Sequence, residues 1–94
     1  MKTLPLKLRK NGFNYTQVLR GIRSCIYEQR VSEKEVCYEV FIVKIRPERN
    51  FNGKVIEAGE RFPHDEAFGY WAWSYMTYED ALEKFKELEN SEDR

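Results

Sequence analysis

The sequence predicts an α+β domain, an antiparallel meander sheet of four or five strands with one C-terminal helix packed on one face. Three observations carry this expectation. Short stretches of alternating apolar and polar residues succeed one another through most of the chain, turn residues such as Asn11-Gly12 punctuate them, and an amphipathic pattern opens after Thr77. A length of 94 residues suits one hydrophobic core, and the 41% apolar and 15% aromatic content is enough to build it.

Leu4, Leu6 and Leu8 alternate with Pro5, Lys7 and Arg9, and Asn11-Gly12 then signals a two-residue hairpin. Pro5 confines this segment to an edge strand or a loose basic arm, so residues 1–12 are set apart from a domain spanning 13–90. Residues 13–19 read as a strand with Phe13, Tyr15, Gln17 and Leu19 on one face, although Gln17 and Val18 interrupt the alternation. Gly21 marks a turn, residues 24–31 form the next strand, and Ser32-Glu33-Lys34 closes it. Residues 35–46 carry the strongest β pattern, rich in branched and aromatic side chains, and are expected as the central strand.

Pro47 ends that strand, Asn50-Phe51-Asn52-Gly53 supplies a turn, and residues 54–58 form a short strand. The charged stretch 59–67, with Pro63 and His64, reads as an exposed loop. Residues 68–75 resume strand character with Trp71, Trp73 and Tyr75 on one face. Thr77 caps a helix from Tyr78 to Glu89, in which Glu79 and Asp80 place negative charge at the positive end of the dipole. Ala81, Leu82, Phe85 and Leu88 line its apolar face, and residues 91–94 are expected to fray.

The residues that usually carry chemistry are sparse. His64-Asp65-Glu66 brings a histidine beside carboxylates, but consecutive loop residues seldom converge on one point and no second histidine or neighbouring cysteine completes a ligand set. The five glycines are dispersed, so no phosphate cradle is present. Cys25 and Cys37 fall on strands whose pairing sets Cys25 opposite Phe41 or Ile42 and Cys37 opposite Gln29 or Arg30. Four residues of strand, about 13 Å, then separate them, beyond the ~7 Å limit for a disulfide, and two free thiols are expected. No catalytic residue, metal or cofactor is expected.

Charge sums to zero but is unevenly placed: residues 1–30 hold seven bases against one acid, and residues 76–94 hold seven acids against three bases. Arg9, Lys10, Arg20, Arg23 and Arg30, joined with Tyr70, Trp71 and Trp73, are the candidate residues for nucleic-acid binding, by phosphate contacts and base stacking. The competing reading places Trp71 and Trp73 in the core against Phe85 and Leu88.

The runs Ile26-Tyr27-Glu28-Gln29, Tyr38-Glu39-Val40, Phe62-Pro63, Phe68-Gly69 and Trp71-Ala72-Trp73-Ser74-Tyr75, with Gly53, Ala81 and Phe85, resemble small proteins of unknown function encoded by bacteriophages, prophages and other bacterial mobile elements. The resemblance covers about residues 13–89 and implies a bacterial, cytoplasmic setting and an accessory role. The tryptophan strand followed by a helix is also faintly similar to WGR domains, without the Trp-Gly-Arg tripeptide. The expected function is a non-enzymatic protein-interaction or self-associating module in the cytoplasm; the alternative is a nucleic-acid-binding module. No stretch is apolar enough to enter a membrane as a helix.

Overall fold

Five antiparallel strands form the sheet in the computed structural model, which describes residues 1–91. They are β1 (Lys7–Lys10), β2 (Phe13–Arg20), β3 (Ser24–Arg30), β4 (Val36–Ile42) and, after an excursion of the chain, β9 (Ala72–Tyr75), in the order β1-β2-β3-β4-β9. The excursion holds two short pairs: β5 (Lys44–Arg46) with β8 (Gly59–Arg61), and β6 (Arg49–Phe51) with β7 (Lys54–Ile56). Helix α1 (Tyr78–Glu89) packs on β3, β4 and β9. The predicted α+β class and its antiparallel sheet with one C-terminal helix are both present.

Asn11 (φ 54°) and Gly12 (φ 84°) take the left-handed conformations of a type I′ turn, and β1 pairs with β2 from Lys10↔Phe13 to Lys7↔Thr16. Between Gln17 and Leu19 the register of β2 against β3 shifts. This bulge explains the broken alternation, because the extra residue reverses the phase of the strand. Tyr15 and Gln17 lie on the face of Tyr27, whereas Leu19 pairs with Ile26 and turns to the opposite face, contrary to the expected shared face.

Each face of the sheet builds a core. On the first, Tyr15, Cys25, Tyr27, Phe41 and Ala72 gather with Leu4 and Ala67; on the second, Ile26 and Val40 meet Ala81, Phe85 and Leu88 of α1. Cys25, Ile26, Tyr27, Val40 and Phe41 are fully buried, each contributing about 1.5–3 kcal/mol relative to exposure for the larger apolar side chains. Cys25 faces Phe41 and Cys37 faces Gln29, as the strand register predicts, and both thiols are free.

Three further expectations need correction. The strand with the strongest β pattern is interior, paired with β3 and β9, but it stops at Ile42 rather than running to Arg46. Its neighbours begin at Ser24 and Ala72, the Val43 N–H still donates to the Arg23 carbonyl at 2.8 Å, and beyond it Lys44–Arg46 pairs with Gly59–Arg61 instead. Segment 59–67 is not an exposed loop: after β8, Phe62 enters an aromatic cluster with ring centroids 5.0, 5.1 and 5.3 Å from Tyr15, Tyr27 and Phe41, and Pro63 and Ala67 are buried. Helix α1 packs on the other face, so this segment, with a short 3-10 turn at Asp65–Ala67, covers the first.

The third correction concerns the tryptophans. Residues 68–71 form a turn, with the N–H groups of Tyr70 and Trp71 both donating to the Ala67 carbonyl at 3.0 Å, and the strand starts only at Ala72. Trp71 therefore leaves the strand phase and packs on the first face, while Trp73, opposite Val40, lies on the helix face. Phe85 and Leu88 pack with Ile26 and Val40 rather than on Trp71.

Thr77 Oγ1 accepts the Asp80 N–H at 3.2 Å and starts α1 at the expected residue. At the far end the Glu89 carboxylate accepts the N–H groups of Ile22, Arg23 and Ser24 at 3.0, 2.9 and 2.7 Å and the Ser24 hydroxyl at 2.7 Å. Gly21 leaves the space that this carboxylate occupies. Burial resists ionisation of Glu89, but the donors from Ser24, Arg23 and Ile22 outweigh it and hold the pKa below the ordinary glutamate value. The expected frayed tail falls mainly on residues 92–94, outside the described residues. Among the described residues no helix is long and apolar enough to cross a membrane.

Candidate functional site

Within the excursion between β4 and β9, the paired segments β5 to β8 are the part of the fold that the core does not explain. Strands β5 and β8 form its root and β6 and β7 its tip, joined by a second Asn-Gly turn at Asn52 (φ 53°) and Gly53 (φ 80°). Together they make a two-stranded ribbon, and from Gly59 to the turn its length is about 20 Å at the rise of a β-strand. Neither tip strand makes a substantial contact with any other element among the described residues. The radius of gyration is 14.2 Å, against about 12.4 Å for a compact chain of this length.

The tip exposes Phe51 at 62% and Val55 at 64%. Cross-strand pairing puts Arg49, Phe51, Lys54 and Ile56 on one face of the ribbon and Asn50 and Val55 on the other. One face is thus an aromatic ring between two cations. At the root, the acids are already engaged. Glu60 takes both guanidinium N–H groups of Arg20 at 2.8 Å and the Leu4 N–H at 2.9 Å, which holds it down to about pKa 2, and Glu57 binds the N-terminal ammonium at 2.9 Å.

Beside the root lies Trp71. The Arg61 guanidinium sits 5.4 Å and the Lys44 ammonium 5.7 Å from its ring, and His64 meets it edge-on at 6.1 Å. Arg61 Nη2 is 3.3 Å from His64 Nε2. Tyr70, next to it, is 81% exposed.

A second surface is the outer edge of β9 beyond Ala72, whose own carbonyl is taken by the Gly69 N–H at 2.8 Å. Residues 69–78 contain no charged side chain, and Met76 at the end of the strand is 80% exposed. The Ile42 N–H donates to the Trp71 carbonyl, so Phe41↔Ala72 and, two residues on, Glu39↔Ser74 are non-hydrogen-bonded pairs. The Ser74 N–H and C=O therefore point outward from the sheet. Next to this edge a groove of about 230 Å³ is lined by Tyr75, Asp80, Glu83, Lys84 and Glu87. Lys84 bridges Glu87 at 2.7 Å and lies 4.1 Å from the Trp73 ring centroid.

The residues predicted to bind nucleic acid do not share one surface. Arg9 and Arg30 both face Asn14 across the register, at the β1 side of the helix face. Lys10 is on the other face, donating to the Pro63 carbonyl at 2.9 Å and lying over Phe62. Arg20 is held by Glu60, Arg23 sits in the turn clasped by Glu89, and Tyr70, Trp71 and Trp73 divide between the β9 end of the two faces. The bases that meet Trp71, Lys44 and Arg61, come from the ribbon root. Arg61 was missed because residues 59–67 read as a loop, and Lys44 because residues 35–46 read as one continuous strand.

Glu39 is 7% exposed on the first face, and burial raises its pKa to about 7. Burial likewise pushes the Cys25 thiol up to about 12, which leaves it protonated and unreactive. Among the described residues no three His, Cys, Asp or Glu side chains gather to hold a metal. No family model, curated protein or solved structure matches the chain.

Proposed function

We propose that the protein is a non-enzymatic interaction module that self-associates through its projecting ribbon. The observation that carries this reading is the tip, which exposes Phe51 and Val55 and, among the described residues, makes no substantial contact with any strand or helix outside its own pair. An isolated two-stranded hairpin is at best marginally stable in water, and covering an aromatic and a branched side chain supplies what the ribbon lacks. A cytoplasmic setting belongs to the same proposal, in keeping with two free thiols and with the accessory role implied by the resemblance to phage and mobile-element proteins. Sedimentation velocity across a concentration series tests it. The wild type is expected to associate and Phe51→Glu to remain monomeric with an unchanged far-UV spectrum; a monomeric wild type at millimolar concentration would sink the reading.

A second reading has its own support in the cations around Trp71 and the exposed Tyr70 beside them, which suit a stacked base and its phosphate. Tryptophan quenching by single-stranded oligonucleotides that weakens with salt and is lost in Arg61→Ala would favour it. A flat titration would remove it.

A further inference from the structure

The ribbon needs a receiving surface, and the chain carries one whose chemistry complements it. Resting on the ribbon reading above, we infer that the outer edge of β9 receives the ribbon of a second copy, each copy giving its ribbon and accepting the other's. The occupant is another molecule of this chain, added to the sheet as an extra strand.

The two edges of the sheet indicate why the contact falls at β9. Strand β1, Lys-Leu-Arg-Lys, exposes Lys7 and Arg9, the kind of charged edge that blocks strand addition. Strand β9, Ala-Trp-Ser-Tyr, has no charge, and Ser74 offers an outward donor and acceptor. An incoming strand there would lie between Tyr70 and Met76, both largely exposed.

Charge fixes which strand fits. An incoming β9 from another copy would bring a second acidic helix against Asp80, Glu83 and Glu87, which is repulsive. The ribbon tip instead brings Arg49 and Lys54 on the face that holds Phe51. Turned toward the helix, that face sets Arg49 and Lys54 against Asp80, Glu83 and Glu87, of which Glu87 already bridges Lys84, and brings the Phe51 ring toward Tyr75 and Trp73 beside the Lys84 ammonium. Reciprocal exchange makes two equivalent contacts and closes at a two-fold dimer, so assembly stops at two copies.

The test is a charge-swap pair read by sedimentation equilibrium, with folding checked by circular dichroism. Arg49→Glu/Lys54→Glu and Glu83→Lys/Glu87→Lys are each expected to weaken dimerisation at least tenfold alone. An equimolar mixture is expected to recover a hetero-dimer, with at least a tenfold gain over either variant. In the wild type, the Ser74 amide resonance should shift and broaden as concentration rises, a readout that needs no variant to fold. If the wild type dimerises and Phe51→Glu does not, but the mixture fails to recover or Ser74 is unperturbed, the β9 site is wrong and the ribbon reading stands. If the wild type is monomeric throughout, both fall.

Discussion

Two hairpins in this chain share one turn. Asn11-Gly12 and Asn52-Gly53 adopt nearly the same left-handed angles, 54° and 84° against 53° and 80°, and each joins strands in two-residue register. Their fates differ. The first lies in the sheet, where β2 contributes buried Tyr15 and packs Phe13 and, through β1, Leu8 against the core. The second projects, with Phe51 and Val55 in solvent. Local turn chemistry makes both hairpins, and among the described residues only the first packs on further strands of the fold.

The sharpest way to break the comparison is to remove what anchors the first hairpin. Tyr15 meets Phe62 edge-on at 5.0 Å and its hydroxyl accepts from Gln29 Nε2 at 2.7 Å, so Tyr15→Ala should cost about 3 kcal/mol or more in urea unfolding. Glu89 shows what an external contact does for a turn. Glu89→Ala frees the donors of Ile22, Arg23 and Ser24 and should cost about 1–3 kcal/mol in the same assay. Glu89 and Glu60 both have lowered pKa values, so their stabilisation is present above the unfolded carboxylate range and is lost as pH falls through the folded values.

Glu39 acts with the opposite sign beneath the first hairpin. Its folded pKa of about 7 exceeds the ordinary 4.5, so the native state holds the proton more tightly and stability falls as pH rises between those values. Glu39→Gln should therefore raise stability at pH 8 by about 1–2 kcal/mol and have little effect at pH 4, measured by urea midpoints. The smallest effect belongs to the second hairpin. Phe51→Ala should leave the stability of dilute monomer within about 0.5 kcal/mol of wild type, while reducing self-association.

The contrast also marks what was legible in the sequence. Alternation, the Asn-Gly turn and the Thr77 cap were enough for the sheet strands and the helix, because these signals are local and each is satisfied by neighbours close in sequence. Phe62 was not legible. Charges on both sides disguised its burial, and its partners Tyr15, Tyr27 and Phe41 are far away along the chain. Trp71 and Trp73 looked like one face because a period of two assumes an unbroken strand, which the turn at residues 68–71 interrupts. For the candidate site, Asn52-Gly53 announced a turn, yet Pro47 and the charged stretch after residue 58 hid that one ribbon runs through β5 to β8. Its exposure could be read only once the core was seen to be complete without it.

Amide hydrogen exchange of the wild type at low and high protein concentration compares the two hairpins most directly. The β1–β2 amides are expected to be protected at both concentrations, while those of β6 and β7 exchange freely when dilute and become protected when concentrated. Ribbon amides that exchange at the same rate at both concentrations would contradict this expectation.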